Sequence, residues 1–301
     1  MLALRAELRA ALAGLVSVSD EQVALTASTT DGCNIVLAGL ELGPDDEVVT
    51  TTDEHFGLLG PLHASGARVV VAPPDPGAIV AVVTPKTKLL ALSHVLWTTG
   101  QVLPVHELRA QTGLPTLVDA AQSVGAIPVD ARGLDFLTIS GQKWLGGPEG
   151  TGGLVVADPE RLRVGRPSYF GQERYGPDGS FEPWPGARRF DPNWIPVPLM
   201  AGLLAALGCR PEWAFEHSRE MAERCRTLLA EAGQDVVTPT ERATIVSWRP
   251  AGEETAAVVE RLYESGVVVR DLPGTGLVRA SVGWWTSEED LRRVVAALAR
   301  V

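Results

Sequence analysis

In the stretch Thr138-Ile139-Ser140-Gly141-Gln142-Lys143-Trp144-Leu145-Gly146-Gly147-Pro148, "TISGQKWLGGP", an apolar β-branched run gives way to glycines around one lysine. A short apolar run that ends in glycine reads as a buried strand delivering the chain to a tight connection. The same step recurs on either side of it. Short apolar runs stand at "VALTAS" (23–28), "DEVVTTT" (46–52), "ARVVVAP" (67–73), "KLLALSH" (88–94), "PTLVDA" (115–120), "FLTIS" (136–140) and "GGLVVA" (152–157), with helical or glycine-containing connections between most of them. That alternation predicts an α/β fold, a mostly parallel sheet sandwiched by helices.

Residues 3–15 have the spacing of an amphipathic helix, and "TTDGCNIVLAGL" (29–40) reads as a tight turn opening a second one. From about 159 to 192 the chain changes to Arg, Gly, Pro and aromatics and is expected to form a long ordered loop. Residues 197–232 look helical. They are followed by "TIVSWRP", a helix over 253–265, "GVVVRDL", "LVRASVG" and a final helix "SEEDLRRVVAALARV", which together read as a smaller C-terminal α+β domain. The expected domains are 16–195 and 196–301, with helix 1–15 packing on either, and the smaller domain is expected to pack on the larger and form a cleft.

Composition narrows the function. With 26 Lys plus Arg against 37 Asp plus Glu, the net charge of −11 and the absence of a basic cluster argue against nucleic acid or an anionic membrane as partner. No stretch approaches the roughly 18 apolar residues of a spanning helix, and the N-terminus interleaves Arg and Glu with its apolar residues as no signal peptide does. Cys33, Cys209 and Cys225 are widely spaced and form no CxxC pair, so neither a disulfide framework nor a metal site is expected. A reducing, cytoplasmic setting fits these thiols.

Taken alone, Lys143 is an ordinary surface lysine. Upstream, however, Asp119 ends the apolar strand of "PTLVDAAQSVGAIPVD" and is expected at the carboxyl edge of the sheet, where α/β folds bind ligands. A strand-end Asp followed by a Lys is the pair pyridoxal 5′-phosphate requires: the amine condenses with the aldehyde, and the carboxylate keeps the pyridine nitrogen protonated. Ser28, Thr29 and Thr30 at a predicted helix start offer free N–H groups to its phosphate, to which Ser140 and Gln142 add donors. The same Ser and Thr would serve equally as a plain N-cap. His55 follows another strand end, where its ring could stack on a planar cofactor or simply face solvent. A third strand end supplies His94, Trp97 and Thr98.

Six ordered fragments, "TTDGCN", "DEH", "SHVLWTTG", "VDAAQSVG", "SGQKWLGGPEGTG" and "VRASVGWWTSEEDL", resemble the class V aminotransferase family of fold-type I pyridoxal-phosphate enzymes, in its cysteine desulfurase-like and isopenicillin N epimerase-like branch. The resemblance spans nearly the whole chain. It implies that Lys143 carries the cofactor as an aldimine, that Asp119 pairs with the pyridine nitrogen, that Gln122 bonds the phenolic oxygen and that His55 stacks on the ring. It further implies that Thr29, Thr30, Ser140 and Gln142 hold the phosphate, and that Arg279 grips the carboxylate of an amino-acid substrate. Family members form homodimers, so Asn193 in "RRFDPNW" is expected to reach the partner's phosphate.

Several positions depart from the family pattern. The region "VVVRDLPGTGLVRAS" (267–281) has no cysteine, which argues against a persulfide-relay desulfurase, and the three cysteines present are expected to be inert. Trp97 stands where many relatives have Asn, so it is a candidate substrate contact, and Trp284 and Trp285 are candidate lid or core aromatics. The chain also reads as shortened before the phosphate turn. The expected function is therefore chemistry at the α-carbon of an amino acid, with transamination, C–S lyase-like elimination and epimerisation all open. The alternative is a shortened scaffold that binds cofactor weakly or serves as a partner subunit. A nicotinamide-dependent fold is set aside because "STTDGCN" lacks G-x-G-x-x-G.

Overall fold

The computed structural model describes residues 1–299. Backbone contacts divide them into two compact units, Met1–His94 with Leu103–Arg210, and Val95–Val102 with the chain from Pro211 onward. The division falls after Arg210, later than the 195/196 read from composition, and the segment carrying Trp97 belongs to the smaller unit.

The larger unit runs α1 (Leu2–Leu15), β1 (Val23–Thr26), α2 (Thr29–Leu40), β2 (Glu47–Thr51), α3 (Phe56–Ala64), β3 (Arg68–Ala72), α4 (Pro76–Ala81), β4 (Thr87–Ser93), α5 (Val105–Thr112), β5 (Thr116–Asp119), β6 (Phe136–Ser140), β7 (Gly152–Val156), β8 (Gln172–Tyr175), β9 (Phe181–Pro183) and α6 (Val197–Cys209). Seven strands form one sheet in the order β1-β7-β6-β5-β4-β2-β3. Only β7 opposes its neighbours; the other pairings are parallel. The sheet is thus mostly parallel, as its apolar runs predict, and β1, β2, β4, β5 and β6 are buried along their length apart from Lys88. On one face α2 packs Val36 and Leu37 with Leu58, Leu89, Leu117 and Leu154. A Cβ at Gly32 would stand 2.9 Å from Thr138 Cγ2, so this glycine lets the first turn of α2 approach β6.

The predicted N-terminal helix is present, but its buried face is not purely apolar. Arg5 and Arg9, one turn apart, lie beside Leu8 and Leu12 and converge on Asp191. Arg5 Nη1 donates to Asp191 Oδ2 at 2.9 Å, and Arg9 donates to both oxygens at 3.1 and 2.8 Å. The backbone N–H of Leu25 in β1 donates to Oδ1 at 2.9 Å. One carboxylate therefore fastens a helix and an edge strand together.

The segment expected to be a long loop contains a hairpin, β8 and β9, paired antiparallel. The turn "GPDGS" explains it: Gly179 takes a φ of 84°, and Asp178 Oδ1 accepts from the N and Oγ of Ser180 at 3.1 and 2.6 Å. The Asp-Gly pair is a hairpin signal legible in the sequence.

The smaller unit adds α7 (Ala214–Glu231), β10 (Asp235–Val236), β11 (Ile245–Arg249), α8 (Thr255–Glu264), β12 (Arg270–Leu272), β13 (Leu277–Ser281) and α9 (Glu288–Leu298). Its sheet, β10-β11-β13-β12, is antiparallel throughout and packs Val246, Trp248 and Val278 against Cys225, Leu229, Leu262 and Leu291. The final residues of the predicted last helix, 300 and 301, lie outside the described residues. Among the described residues no helix is long and apolar enough to cross a membrane.

Removing one partner from a buried ion cluster leaves the others uncompensated, at a cost of about 3–5 kcal/mol. Asp191→Ala is expected to lose about that much unfolding free energy in urea denaturation. An unchanged midpoint would show that Arg5 and Arg9 hydrate without it.

Candidate active site

The carboxyl ends of β1, β2, β4, β5 and β6 share one edge of the sheet, and the register sets Ser93 opposite Asp119 and Asp119 opposite Thr138. Asp119 is 4% exposed. Its Oδ1 accepts from the backbone N–H of Ala121 at 2.9 Å and from Thr138 Oγ1 at 3.5 Å, while Oδ2 accepts from no described residue. The carboxylate is thus held by one oxygen and offers the other.

Lys143 sits on a turn that only glycine allows. Gly141 N–H donates to Thr151 O at 2.9 Å and Gly147 N–H to Gly141 O at 2.8 Å, closing the loop on itself. A Cβ at Gly141 would lie 2.1 Å from Thr151 Oγ1, closer than any side chain tolerates. Trp144 and Leu145 bury themselves immediately after the half-buried lysine and anchor it. Ser140 Oγ donates to Gln142 Oε1 at 2.9 Å, which leaves the Gln142 amide N–H2 as the donor end. Gln122 Oε1 accepts from Trp144 Nε1 at 2.9 Å.

At the start of α2, Ser28 accepts from Asp31 N–H at 3.1 Å, so the N-cap reading is correct. The same turn keeps the N–H groups of Thr29 and Thr30 directed outward as in any first helical turn. Thr30 and His55 meet at Gly57, whose added Cβ would stand 2.7 Å from Thr30 Oγ1 and 3.1 Å from His55 Nδ1. His55 caps α3 by accepting Gly57 N–H at Nδ1, 3.0 Å, so its own proton is on Nε2.

Glu54 escaped the sequence reading although it lies inside the fragment "DEH". It is 5% exposed and accepts from Thr51 Oγ1 at 2.9 Å, from Ser93 N–H at 3.0 and 3.1 Å, and from Ser93 Oγ. Burial raises its pKa to about 7 against those hydrogen bonds, with Asp119 adding to the rise. Cys33, fully buried, is pushed well above the ordinary thiol range by burial and then by Asp119 and Glu54. Burial pushes Cys225 up to about 12. Both are poor thiolates at neutral pH, consistent with inert roles.

Arg279 and Trp97 fall in the smaller unit. Ser247, Arg279 and Arg270 stand opposite one another across β11, β13 and β12. Arg279 Nη1 donates to Trp97 O at 2.9 Å and Ser247 Oγ to Thr98 O at 2.6 Å, so this row carries the 97–98 backbone. Burial, and then the Arg270 charge, lower Arg279 to about 10, still a cation at neutral pH. Neither guanidinium forms an ion pair with a described residue. Arg270 was the second residue missed: "VVVRDL" reads as a strand, but nothing local tells which residue it faces. Asn193 is exposed, on a hollow of about 420 Å³ lined with it by Ser168, Tyr169, Gln172, Tyr175 and Phe181.

The sequence pattern of the aminotransferase class-V family matches residues 3–294. The chain belongs to that family. It is 30% identical to isopenicillin N epimerase of Streptomyces clavuligerus, over 96% of this chain and 82% of that one. It is 28% identical to a probable cysteine desulfurase of Xylella fastidiosa, over 97% and 79%. Among solved structures, the cystine C–S lyase C-DES in complex with its product cysteine persulfide superposes with a TM-score of 0.91 at 30% identity, covering 99% of this chain and 87% of that one. A C-DES mutant with glycine covalently linked to its PLP cofactor gives 0.92 at 29%, covering 99% and 86%.

Class V enzymes use pyridoxal 5′-phosphate, and the residues of this edge fit it. Asp119 could offer a carboxylate oxygen to a protonated nitrogen, Gln122 and Gln142 could each present an amide donor, the first turn of α2 would suit a phosphate, and Lys143 could supply the amine.

Because the folded pKa of Glu54, about 7, lies above its ordinary 4.5, its stabilising contribution is full below about pH 4.5 and is lost as pH rises through about 7. Relative to Glu54→Gln, the wild type is expected to lose up to about 3 kcal/mol of unfolding free energy across that window, measured by urea denaturation at its two ends. Identical pH slopes for the two proteins would show that Glu54 titrates at the same pH folded and unfolded.

Proposed function

We propose that this class V enzyme cleaves a C–S bond by elimination from a sulfur-containing amino acid that carries a second acidic group. The observation that carries the proposal is the cross-strand pair Arg270 and Arg279, two guanidiniums without an acidic partner among the described residues, in a segment with no cysteine. Like charges directly opposite on a sheet destabilise it, and two anionic groups of one ligand relieve them. The missing cysteine disfavours a persulfide relay, and the cystine C–S lyase is among the structural relatives at 30% identity.

When bound, the cofactor supplies the electron sink for the Cα–H pair. The protein does the rest. Asp119 would hold a proton on the pyridine nitrogen, Gln122 would donate to the phenolic oxygen, and His55 would cover the ring. Thr29, Thr30, Ser140 and Gln142 hold the phosphate. Lys143 Nζ would take the Cα proton, and the sulfur would leave Cβ with the electron pair of the C–S bond. On the smaller unit, Arg279 would suit an α-carboxylate, Arg270 a second acidic group, and Trp97 a wall beside them. The runner-up, a shortened scaffold, is not favoured, because the family match runs through residues 3–294 and these residues are all present.

A homodimer is supported by the exposed Tyr169, Tyr175, Phe181 and Trp194 around Asn193, a surface suited to a second copy whose phosphate Asn193 would reach. A cytoplasmic location is supported by three cysteines that are all free thiols.

Absorption spectra with added pyridoxal phosphate test the first step. The wild type is expected to show a visible band that borohydride bleaches, and Lys143→Ala to show none. With L-cystine the wild type should release pyruvate, and Arg270→Ala should lose roughly ten- to hundredfold in kcat/KM on cystine while acting normally on S-methylcysteine, which has one carboxylate. Recovery of the D-isomer without pyruvate would replace elimination by epimerisation.

A further inference from the structure

Trp144 follows Lys143 and turns inward, 4% exposed, and its Nε1 donates to Gln122 Oε1 at 2.9 Å. An indole N–H is a donor only, so the end of a carboxamide that faces it must be the oxygen. The orientation of Gln122 is thereby settled by chemistry: its N–H2 points away from Trp144. With an aliphatic or phenyl side chain at 144, no donor would distinguish the two ends. No other hydrogen bond from a described residue holds this amide.

The backbone beneath is braced in the same register. Gly125, at φ 92°, lies so close to the Lys143 turn that an added Cβ would stand 2.8 Å from the carbonyl carbon of Trp144. Arg210 Nη2 holds Gly125 O at 2.8 Å. The loop after Asp119 and the loop of Lys143 therefore meet twice, once through backbone contact and once through the Trp144–Gln122 hydrogen bond.

We propose that Trp144 is a positioning residue whose N–H locks the Gln122 amide so that a donor, never a carbonyl, meets the cofactor's phenolic oxygen. The proposal rests on the cofactor reading above. A hydrogen bond donated to that oxygen favours its anionic form, whereas a carbonyl turned toward it would repel that form.

The test is a pH titration of the visible band in the loaded wild type, Trp144→Phe, Gln122→Leu and the double variant. Losing the lock is expected to raise the midpoint by about one pH unit, the equivalent of one hydrogen bond. Gln122→Leu should raise it as well, and the double variant should go no higher than Gln122→Leu alone, since Trp144 acts through Gln122. A Trp144→Phe midpoint equal to wild type, or a shift that adds in full to that of Gln122→Leu, would overturn the proposal. Should Trp144→Phe fail to fold, benzothienylalanine at 144 keeps the bicyclic shape, deletes the N–H and is held to the same two outcomes. A wild type with no visible band would remove the cofactor reading, and this inference with it.

Discussion

Six strands of the larger sheet run in one direction, and that shared direction is the constraint on which the chemistry depends. In a parallel arrangement every carboxyl end opens on the same edge, so residues remote in sequence arrive side by side without a long-range contact to specify them. The N-terminus of α2, Glu54 with His55, Asp119 and the Lys143 turn are all residues that follow such an end. The exception, β7, has its own logic. Lying antiparallel to β6, it is reached by a short return rather than a crossover, and Gly141 can therefore bond directly to Thr151. That closed return holds the lysine turn at the sheet edge.

The edge is also where the larger unit keeps carboxylates without salt bridges. Asp191 is buried with two arginines on it. Asp119 and Glu54 are buried equally well, yet neither is ion-paired to a described Arg or Lys; hydrogen bonds alone hold them. Burial raises the proton affinity of Glu54, and the nearby Asp119 carboxylate adds to that rise. A cationic ring nitrogen against Asp119 would relieve it. The neighbouring thiol of Cys33 cannot, since it would add charge of the same sign.

The strands, the parallel sheet and the places of Asp119 and Lys143 at and after strand ends were legible because each rests on local pattern: apolar runs of strand length, glycine at the break, and a charged residue where a buried strand ends. The hairpin β8–β9 was equally legible in "PDGS" but was obscured by the surrounding prolines and aromatics. Other features could not be read locally. Arg5 and Arg9 look like the polar side of an amphipathic helix, and only the arrival of Asp191 from far along the chain turns them inward. Trp97 belongs to a fragment contiguous with β4, yet its backbone is held by Ser247 and Arg279. Trp144 reads as a core aromatic, and its donor role exists only because the loop after Asp119 presents an oxygen to it.

Arg279 shows how narrowly an antiparallel sheet sets the face on which a side chain stands. Its neighbours in register are Ser247 and Arg270, and all three project from the same face. A slip of one residue in either pairing would send a guanidinium to the opposite face, into the packing of Val278 and Trp248. The register is pinned from outside the sheet. Gly100, at φ 78°, fits so tightly against β11 that a Cβ there would stand 2.6 Å from Ile245 O, and Ala243 N–H donates to Gly100 O at 2.8 Å. The 95–102 segment thus acts as a gauge for β11, and through Ser247 and Arg279 it fixes β13 as well. Arg270 and Arg279 bring two like charges opposite each other in this small sheet, and the bonds from Arg279 to Trp97 O and from Ser247 to Thr98 O hold the row in place against them.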